Sequence, residues 1–297
     1  MKILWIALLF LFPSVAAAAS LEQSYLAARD AQIRKVAAAE KKGADTDRVD
    51  KIQEKALAEL QKQLAQIIGA SKLSVPGIKA TPKINIEALS DKDQGFDMLD
   101  GLAYASEDYK TRVVVTTEGL LKAWMLRHRK PGDRKMSQDP AQDLAKVLAS
   151  EEFYTQAVNS DATLSKYAEL PIKKPAAAST AYAMYGGWAQ DDGPWEPEEL
   201  VISVIQGGKL YVVRVPASTK LGPFAACQAV WDKADRKANE VYERAPSKPK
   251  VVPDTSKIRE QGAAAFRRCF AEHAPKEKGF AGLVRQAQTI VDGLPVQ

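Results

Sequence analysis

The stretch ELVISVIQGGKLYVVRVP, residues 199–216, carries the clearest β-sheet pattern in the chain. Two runs rich in valine and isoleucine flank Gly207-Gly208, and β-branched residues favour strands. Two adjacent glycines permit the positive φ angles that a tight hairpin turn requires. The pattern predicts an antiparallel β-hairpin, to which residues 180–188 (TAYAMYGGW) are expected to add a third strand.

Helical patterns precede and follow this β region. Upstream, residues 21–68 read as two helices with apolar faces, and the short connection between them predicts an antiparallel helical hairpin. Gly43 suits the end of the first helix, and Asp45 or Thr46 can cap the second. The apolar faces either pack against each other and the rest of the protein, or form an arm that docks a partner.

The stretch between the helical hairpin and the β-hairpin begins with a linker. Residues 69–85 (GASKLSVPGIKATPKIN) contain prolines and glycines without periodicity, which is typical of a connection between domains. Residues 112–116 then predict a strand, and Thr117 can cap a helix that begins at Glu118. Further predictions are a helix over residues 139–149 and short strands within residues 151–158 and 164–170.

The first 20 residues, MKILWIALLFLFPSVAAAAS, have the layout of an export signal. Lys2 precedes an apolar run from Ile3 to Val15, and Ala17 and Ala19 fit a cleavage site. A transmembrane anchor is the competing interpretation, but a proline interrupts the run and no basic flank follows it. We expect cleavage near Ala19 and a soluble mature protein without a transmembrane segment, in the periplasm or secreted.

The chain contains two cysteines, Cys227 and Cys269. Each lies in a helical pattern beside bulky apolar residues, and such surroundings favour an inert, buried sulfur. His128 and His273 are the two histidines, and their spacing completes no zinc site with the cysteines. Disulfides persist in exported proteins, so we predict that Cys227 and Cys269 are bonded to each other.

The order of helices, strands and helices, without regular alternation, predicts an α+β fold. An N-terminal antiparallel helical hairpin is followed by a mixed domain with a small antiparallel sheet and C-terminal helices joined by the disulfide. The last of these helices is predicted over residues 279–294. The expected division is a signal peptide (1–19), the helical hairpin (20–70), a linker (71–90) and the α+β domain (91–297).

Charge and motifs bear on the class of function. With 42 basic and 37 acidic residues, the chain has a mixed surface that does not indicate nucleic-acid binding. The sequence lacks the G-x-S-x-G, H-E-x-x-H, P-loop and C-x-x-C signatures. We therefore predict no cofactor and no assembled catalytic or metal site.

The stretch GGWAQDDGPWEPEE, residues 186–199, is the first candidate for ligand binding. Trp188 and Trp195 flank Asp191 and Asp192, and tryptophan is enriched at binding sites. Carboxylates beside aromatic rings suit a sugar, an amine or a basic peptide. The alternative is that both rings fold back onto the sheet as a hydrophobic cap.

A basic segment ends the helix that begins at Glu118. Arg127, Arg129 and Lys130 in this segment are candidates for an anion contact. The competing explanation is that the helix dipole favours cations at the helix C-terminus, without any ligand.

The acidic stretch SDKDQGFDMLDGL, residues 90–102, contains oxygen ligands of the kind that calcium takes. They belong to Asp91, Asp93, Asp97 and Asp100. The EF-hand register fails, because position 6 holds phenylalanine and position 12 holds leucine. A solvated acidic loop is favoured, and the sequence leaves calcium binding open.

These patterns favour an exported, non-catalytic protein that binds a ligand or partner in the cell envelope. The alternative is an envelope hydrolase that uses paired carboxylates, drawn from the stretch between Asp91 and Asp100 or from Asp191 and Asp192. The identity of the ligand or partner follows from no motif in the sequence.

Overall fold

The computed structural model of the chain describes residues 12–70, 78, 82–85, 99–107, 111–127, 140–148, 153, 166–169, 173–188, 196–216, 222–244, 253–276 and 278–295. The helices in these segments are α1 (Phe12–Lys41), α2 (Thr46–Ile68), α3 (Glu118–Arg127), α4 (Pro140–Leu148), α5 (Gly222–Glu243), α6 (Ser256–His273) and α7 (Lys278–Asp292). The strands are β1 (Lys83–Ile84), β2 (Leu102–Ala105), β3 (Arg112–Thr117), β4 (Lys166–Glu169), β5 (Ala178–Trp188), β6 (Glu196–Gln206) and β7 (Lys209–Pro216).

The strands form one antiparallel sheet in the order β1-β2-β3-β7-β6-β5-β4. The predicted hairpin is its centre, with Gln206 paired to Lys209 across a two-residue turn. Gly207 has φ 57° and Gly208 has φ 72°, so both turn residues occupy the left-handed region, as the paired glycines predict. The predicted α+β fold is confirmed.

The sheet is larger than predicted, because β1 and β2 extend it on one side. Strand β2 has the sequence LAYA, and alanine has a low strand propensity that hides it in the sequence. Strand β1 spans only two residues, Lys83 and Ile84, within the predicted linker. Of the predicted strand 151–158, only the buried Phe153 lies within the described residues.

Both faces of the sheet are buried. One face packs against the helical hairpin α1–α2 and the C-terminal helices α5, α6 and α7, and the other packs against α3 and α4. Successive residues of β6 divide between these two cores: Leu200, Ile202 and Val204 join the first, whereas Val201 and Ile205 join the second. An antiparallel sheet covered on both sides explains why its central strands are apolar runs rather than alternating patterns.

The helical hairpin α1–α2 forms as the sequence predicts. Gly43 adopts φ 68° after α1, and the Asp45 side chain accepts a hydrogen bond of 2.8 Å from the Arg48 amide at the start of α2. Leu60 and Leu64 of α2 are fully buried in the core shared with the sheet. The apolar faces therefore pack against each other and against the sheet, while a role in docking a partner stays a prediction.

One side chain of α2 also holds the predicted linker in place. The Gln61 side chain donates to the carbonyl of Pro82 at 3.2 Å and accepts from the Ile84 amide at 3.1 Å. Strand β1 is thereby attached both to β2 and to the helical hairpin. The division of the chain into separate domains at residues 71–90 stays a prediction.

The C-terminal helices α5 and α6 are joined by the predicted disulfide between Cys227 and Cys269, whose Cα atoms lie 5.7 Å apart. The two helices are in close contact at Gly262, where an added Cβ atom would collide with the side chain of Ala234. Phe270 stacks on Phe266 and meets Phe280 edge-on, with ring centroids 6.1 and 5.8 Å apart. The disulfide and this aromatic cluster fix α5 and α6 on the sheet.

We expect Cys227→Ala to lower the free energy of unfolding by about 2–5 kcal/mol, because the bond closes a long loop in the unfolded chain. Cys269→Ala should have a similar effect, and the double variant should be little less stable than either single one. Urea denaturation checks this result. Dithiothreitol is the control, since it should lower the stability of the parent and leave the variants unchanged. Additive losses would contradict a bonded pair.

Candidate functional site

The predicted ligand-binding stretch lies at the tip of a long β-hairpin. Strands β5 and β6 have 11 residues each, and Trp188 pairs with Glu196 at the last position described before the tip. We call residues 189–195 the β5–β6 tip. Asp191, Asp192 and Trp195 lie outside the described residues, as does the ring of Trp188. Binding by these four residues therefore stays a prediction.

The base of the β5–β6 tip is irregular. The register shifts between Gly186 and Gly187, and Gly187 pairs with Pro197, which has no amide hydrogen to donate to the ladder. Such shifts bend a strand and change the direction in which its following residues point. Trp188, which pairs with Glu196 at the end of β5, thus comes directly after this irregular step in the hairpin.

A buried ion pair lies on the sheet near the start of β6. Arg214 of β7 donates from Nε and Nη2 to the two carboxylate oxygens of Glu199, at 2.8 and 2.9 Å. Arg112 of β3 is directly opposite Arg214 in the sheet register and is exposed. A two-bond arginine–carboxylate pair has a fixed geometry, so it holds β6 and β7 in register close to the β5–β6 tip.

A second charged cluster joins the helical hairpin to the sheet. Asp100, just before β2, is fully buried. Its Oδ1 accepts from the Tyr25 hydroxyl at 3.2 Å and from Nε of Arg29 at 3.1 Å, and its Oδ2 accepts from Nη2 of Arg127 at 3.1 Å. The cluster connects α1, α3 and the start of β2. Loss of one partner from a buried charge network of this kind typically costs about 3–5 kcal/mol.

This cluster bears on two of the predicted sites. Arg127, a candidate for an anion contact, binds the carboxylate of Asp100, whereas Arg129 and Lys130 lie outside the described residues. Asp100, a candidate calcium ligand, is enclosed by the two arginines. The other three aspartates of the acidic stretch, Asp91, Asp93 and Asp97, also lie outside the described residues.

Glu22, near the start of the predicted mature chain, contacts the N-terminus of α3. Its carboxylate accepts a hydrogen bond from the Thr117 hydroxyl, and the Thr117 oxygen accepts the Leu120 amide at 3.2 Å. Thr117 is therefore the helix cap that the sequence predicts. The carboxylate occupies the space where a Cβ atom at Gly119 would lie, and a negative charge is favoured at a helix N-terminus.

Burial changes the acid–base behaviour of three tyrosines. Burial, followed by the nearby Asp100 carboxylate, raises the pKa of Tyr25 far above its ordinary value. Burial, with a smaller contribution from Tyr211, raises the pKa of Tyr104 to about 12. Burial also raises the pKa of Tyr211. The three hydroxyls remain protonated at neutral pH and can donate hydrogen bonds.

The described residues gather no group of three or more histidine, cysteine, aspartate or glutamate side chains that could hold a metal ion. In the same part of the chain, none of the helices has both the length and the apolar character needed to cross a bilayer. No protein-family model, curated protein or solved structure matches this chain.

We expect Gly119→Ala to destabilise the parent by about 1 kcal/mol, because the new methyl group displaces Glu22 and breaks a charged hydrogen bond. In a Glu22→Ala chain, the same substitution should instead stabilise the protein by about 0.5–1 kcal/mol through helix propensity. Urea denaturation of the four proteins measures the coupling. Equal effects of Gly119→Ala in both backgrounds would show that Glu22 does not occupy this space.

Proposed function

We propose that this chain is an exported, non-catalytic protein that recognises a sugar, an amine or a basic peptide in the cell envelope through its β5–β6 tip. The proposal rests on one arrangement: Trp188 ends β5, and the β5–β6 tip, which joins two paired 11-residue strands, contains Asp191, Asp192 and Trp195. Binding residues are commonly carried on loops that a rigid scaffold positions. A loop at the end of a sheet buried on both faces has such a scaffold.

The disulfide supports the location in this proposal. Cys227 and Cys269 are the two cysteines of the chain, and both are used in the bond. Disulfides form and persist in the periplasm and outside the cell, and are rare in reducing compartments. The N-terminal pattern with its cleavage site near Ala19 is consistent with the same route.

The chemistry of the β5–β6 tip suggests the ligand class. Tryptophan rings stack on the apolar faces of sugars and attract cations, while neighbouring carboxylates accept hydrogen bonds from hydroxyl or ammonium groups. The hydrolase alternative has weaker support, because Asp100 is enclosed by Arg29 and Arg127 and has no exposure to a substrate.

Export can be tested directly. We expect the protein expressed in a Gram-negative host to appear in the periplasmic fraction, with an intact mass that corresponds to a chain starting at Ser20. Ala17→Arg/Ala19→Arg, which removes the small residues of the cleavage site, should leave the signal attached. Recovery of the parent as the full-length chain in the membrane pellet would contradict export with cleavage.

The β5–β6 tip can be tested by tryptophan fluorescence of the purified mature protein. Neutral oligosaccharides, a polyamine and a lysine-rich peptide are the three probes. We expect one class to bind, and Trp188→Ala/Trp195→Ala to weaken it tenfold or more, the effect expected for an aromatic hot spot. Asp191→Asn/Asp192→Asn should weaken a cationic ligand more than a neutral sugar.

Tyr242→Ala, at an exposed position on α5, is the matched control and should bind like the parent. Far-UV circular dichroism and melting temperature establish that each variant is folded. Failure of all three ligand classes to bind, or unchanged affinity in the double tryptophan variant, would contradict recognition by the tip.

A further inference from the structure

Two tyrosines lie on the same face of the sheet, inside the core between the sheet and the helices. Tyr104 of β2 and Tyr211 of β7 both belong to the core that α1 and α2 cover. In the sheet register, Tyr104 pairs with Val113 of β3, and Tyr211 pairs with Val115, two residues along the same strand. Two strand separations and two residues place their Cα atoms about 12 Å apart, a separation that two tyrosine side chains can span with one small molecule between their hydroxyls.

The hydroxyls of both tyrosines are buried without a hydrogen-bond partner among the described residues. Tyr104 is 2% exposed and Tyr211 is 0% exposed, so neither hydroxyl reaches bulk water. The two hydroxyls do not bond to each other either. Leaving two such groups unpaired in an apolar core is strongly unfavourable, and buried polar groups in folded proteins are paired with protein atoms or with ordered water.

The surroundings restrict what the partner can be. On the sheet, the neighbouring positions on this face include Leu102, Val113, Val115 and Val213, which supply apolar surface and no charge. Each tyrosine hydroxyl can donate one hydrogen bond and accept others, so a shared partner must be able to do both. The electrostatic effect of Tyr211 on the pKa of Tyr104 is consistent with hydroxyls that are near each other.

We infer that Tyr104 and Tyr211 form an internal site for one ordered water molecule that bridges their hydroxyls. Water is neutral, can donate and accept at once, and fits a site closed from solvent, as buried waters in globular proteins do. The bridge ties β2 to β7 across the intervening β3, beneath the helical hairpin. This inference does not depend on the function proposed for the β5–β6 tip.

Tyrosine-to-phenylalanine variants test the inference in two ways: by whether each lowers or raises stability, and by whether the two effects add in the double variant. If water bridges the hydroxyls, Tyr104→Phe and Tyr211→Phe should each lower the folding equilibrium constant about fivefold, the effect of losing one net hydrogen bond. The double variant should lose clearly less than the product of the two single losses, because the first substitution already weakens binding of the shared water. Tyr242→Phe, at an exposed position, is the matched control and should match the parent.

An increase in stability for either variant would overturn the inference, because removal of an unpaired buried hydroxyl stabilises the protein. Additive effects would also overturn it, because they would mean that the two hydroxyls share no water. A high-resolution crystal structure of the parent supplies the second measurement. We expect one solvent peak about 2.6–3.2 Å from both hydroxyl oxygens. A direct bond between the hydroxyls, or a larger bound molecule detected in the density or by native mass spectrometry, would also overturn it.

Discussion

The structure depends on the need to cover both faces of its central strands. Residues of β6 and β7 are apolar in succession, so neither face of the sheet can be left to water. Most side chains of the two strands are fully buried. Burial of apolar surface is the main favourable contribution to folding. The N-terminal helical hairpin and the C-terminal helices together cover one face, although every strand of the sheet lies between them in the sequence.

Directional contacts then fix several of the elements that surround the central strands. At the N-terminal side, Asp100 binds Arg29 and Arg127, and Gln61 holds strand β1. At the C-terminal side, the disulfide joins α5 to α6. Apolar packing is not directional, whereas hydrogen bonds and disulfides require defined geometry. The apolar core thus drives the assembly, and these few directional contacts determine how its parts are aligned.

The ion pairs and the disulfide described above use residues other than those proposed for recognition. Ion pairs join α1 and α3 to the residue just before β2, the disulfide joins α5 to α6, and the β5–β6 tip connects β5 to β6. The bidentate pair between Glu199 and Arg214 holds the strands in register near the base of the tip.

The sequence by itself determined the local elements whose signals lie within a few residues. Gly207-Gly208 indicated the central turn, Asp45 and Thr117 indicated helix caps, and the two cysteines indicated the disulfide, because two residues allow one pairing. The alanine-rich β2 gave no such signal. For the candidate site, the sequence identified a loop with suitable chemistry, and the sheet register places its flanking residue Trp188 at the end of a long hairpin.

Only the tertiary structure decided which distant side chains meet. Asp100 looked like a solvated or calcium-binding aspartate, yet it pairs with Arg29, 71 residues away. Glu22 lies against Gly119, and the hydroxyl of Tyr104 lies in the same core as that of Tyr211. No local pattern predicts these contacts, because a charge or hydroxyl has the same sequence signature whether it faces water or a partner. The partner is selected when apolar burial brings α1, β2 and α3 together.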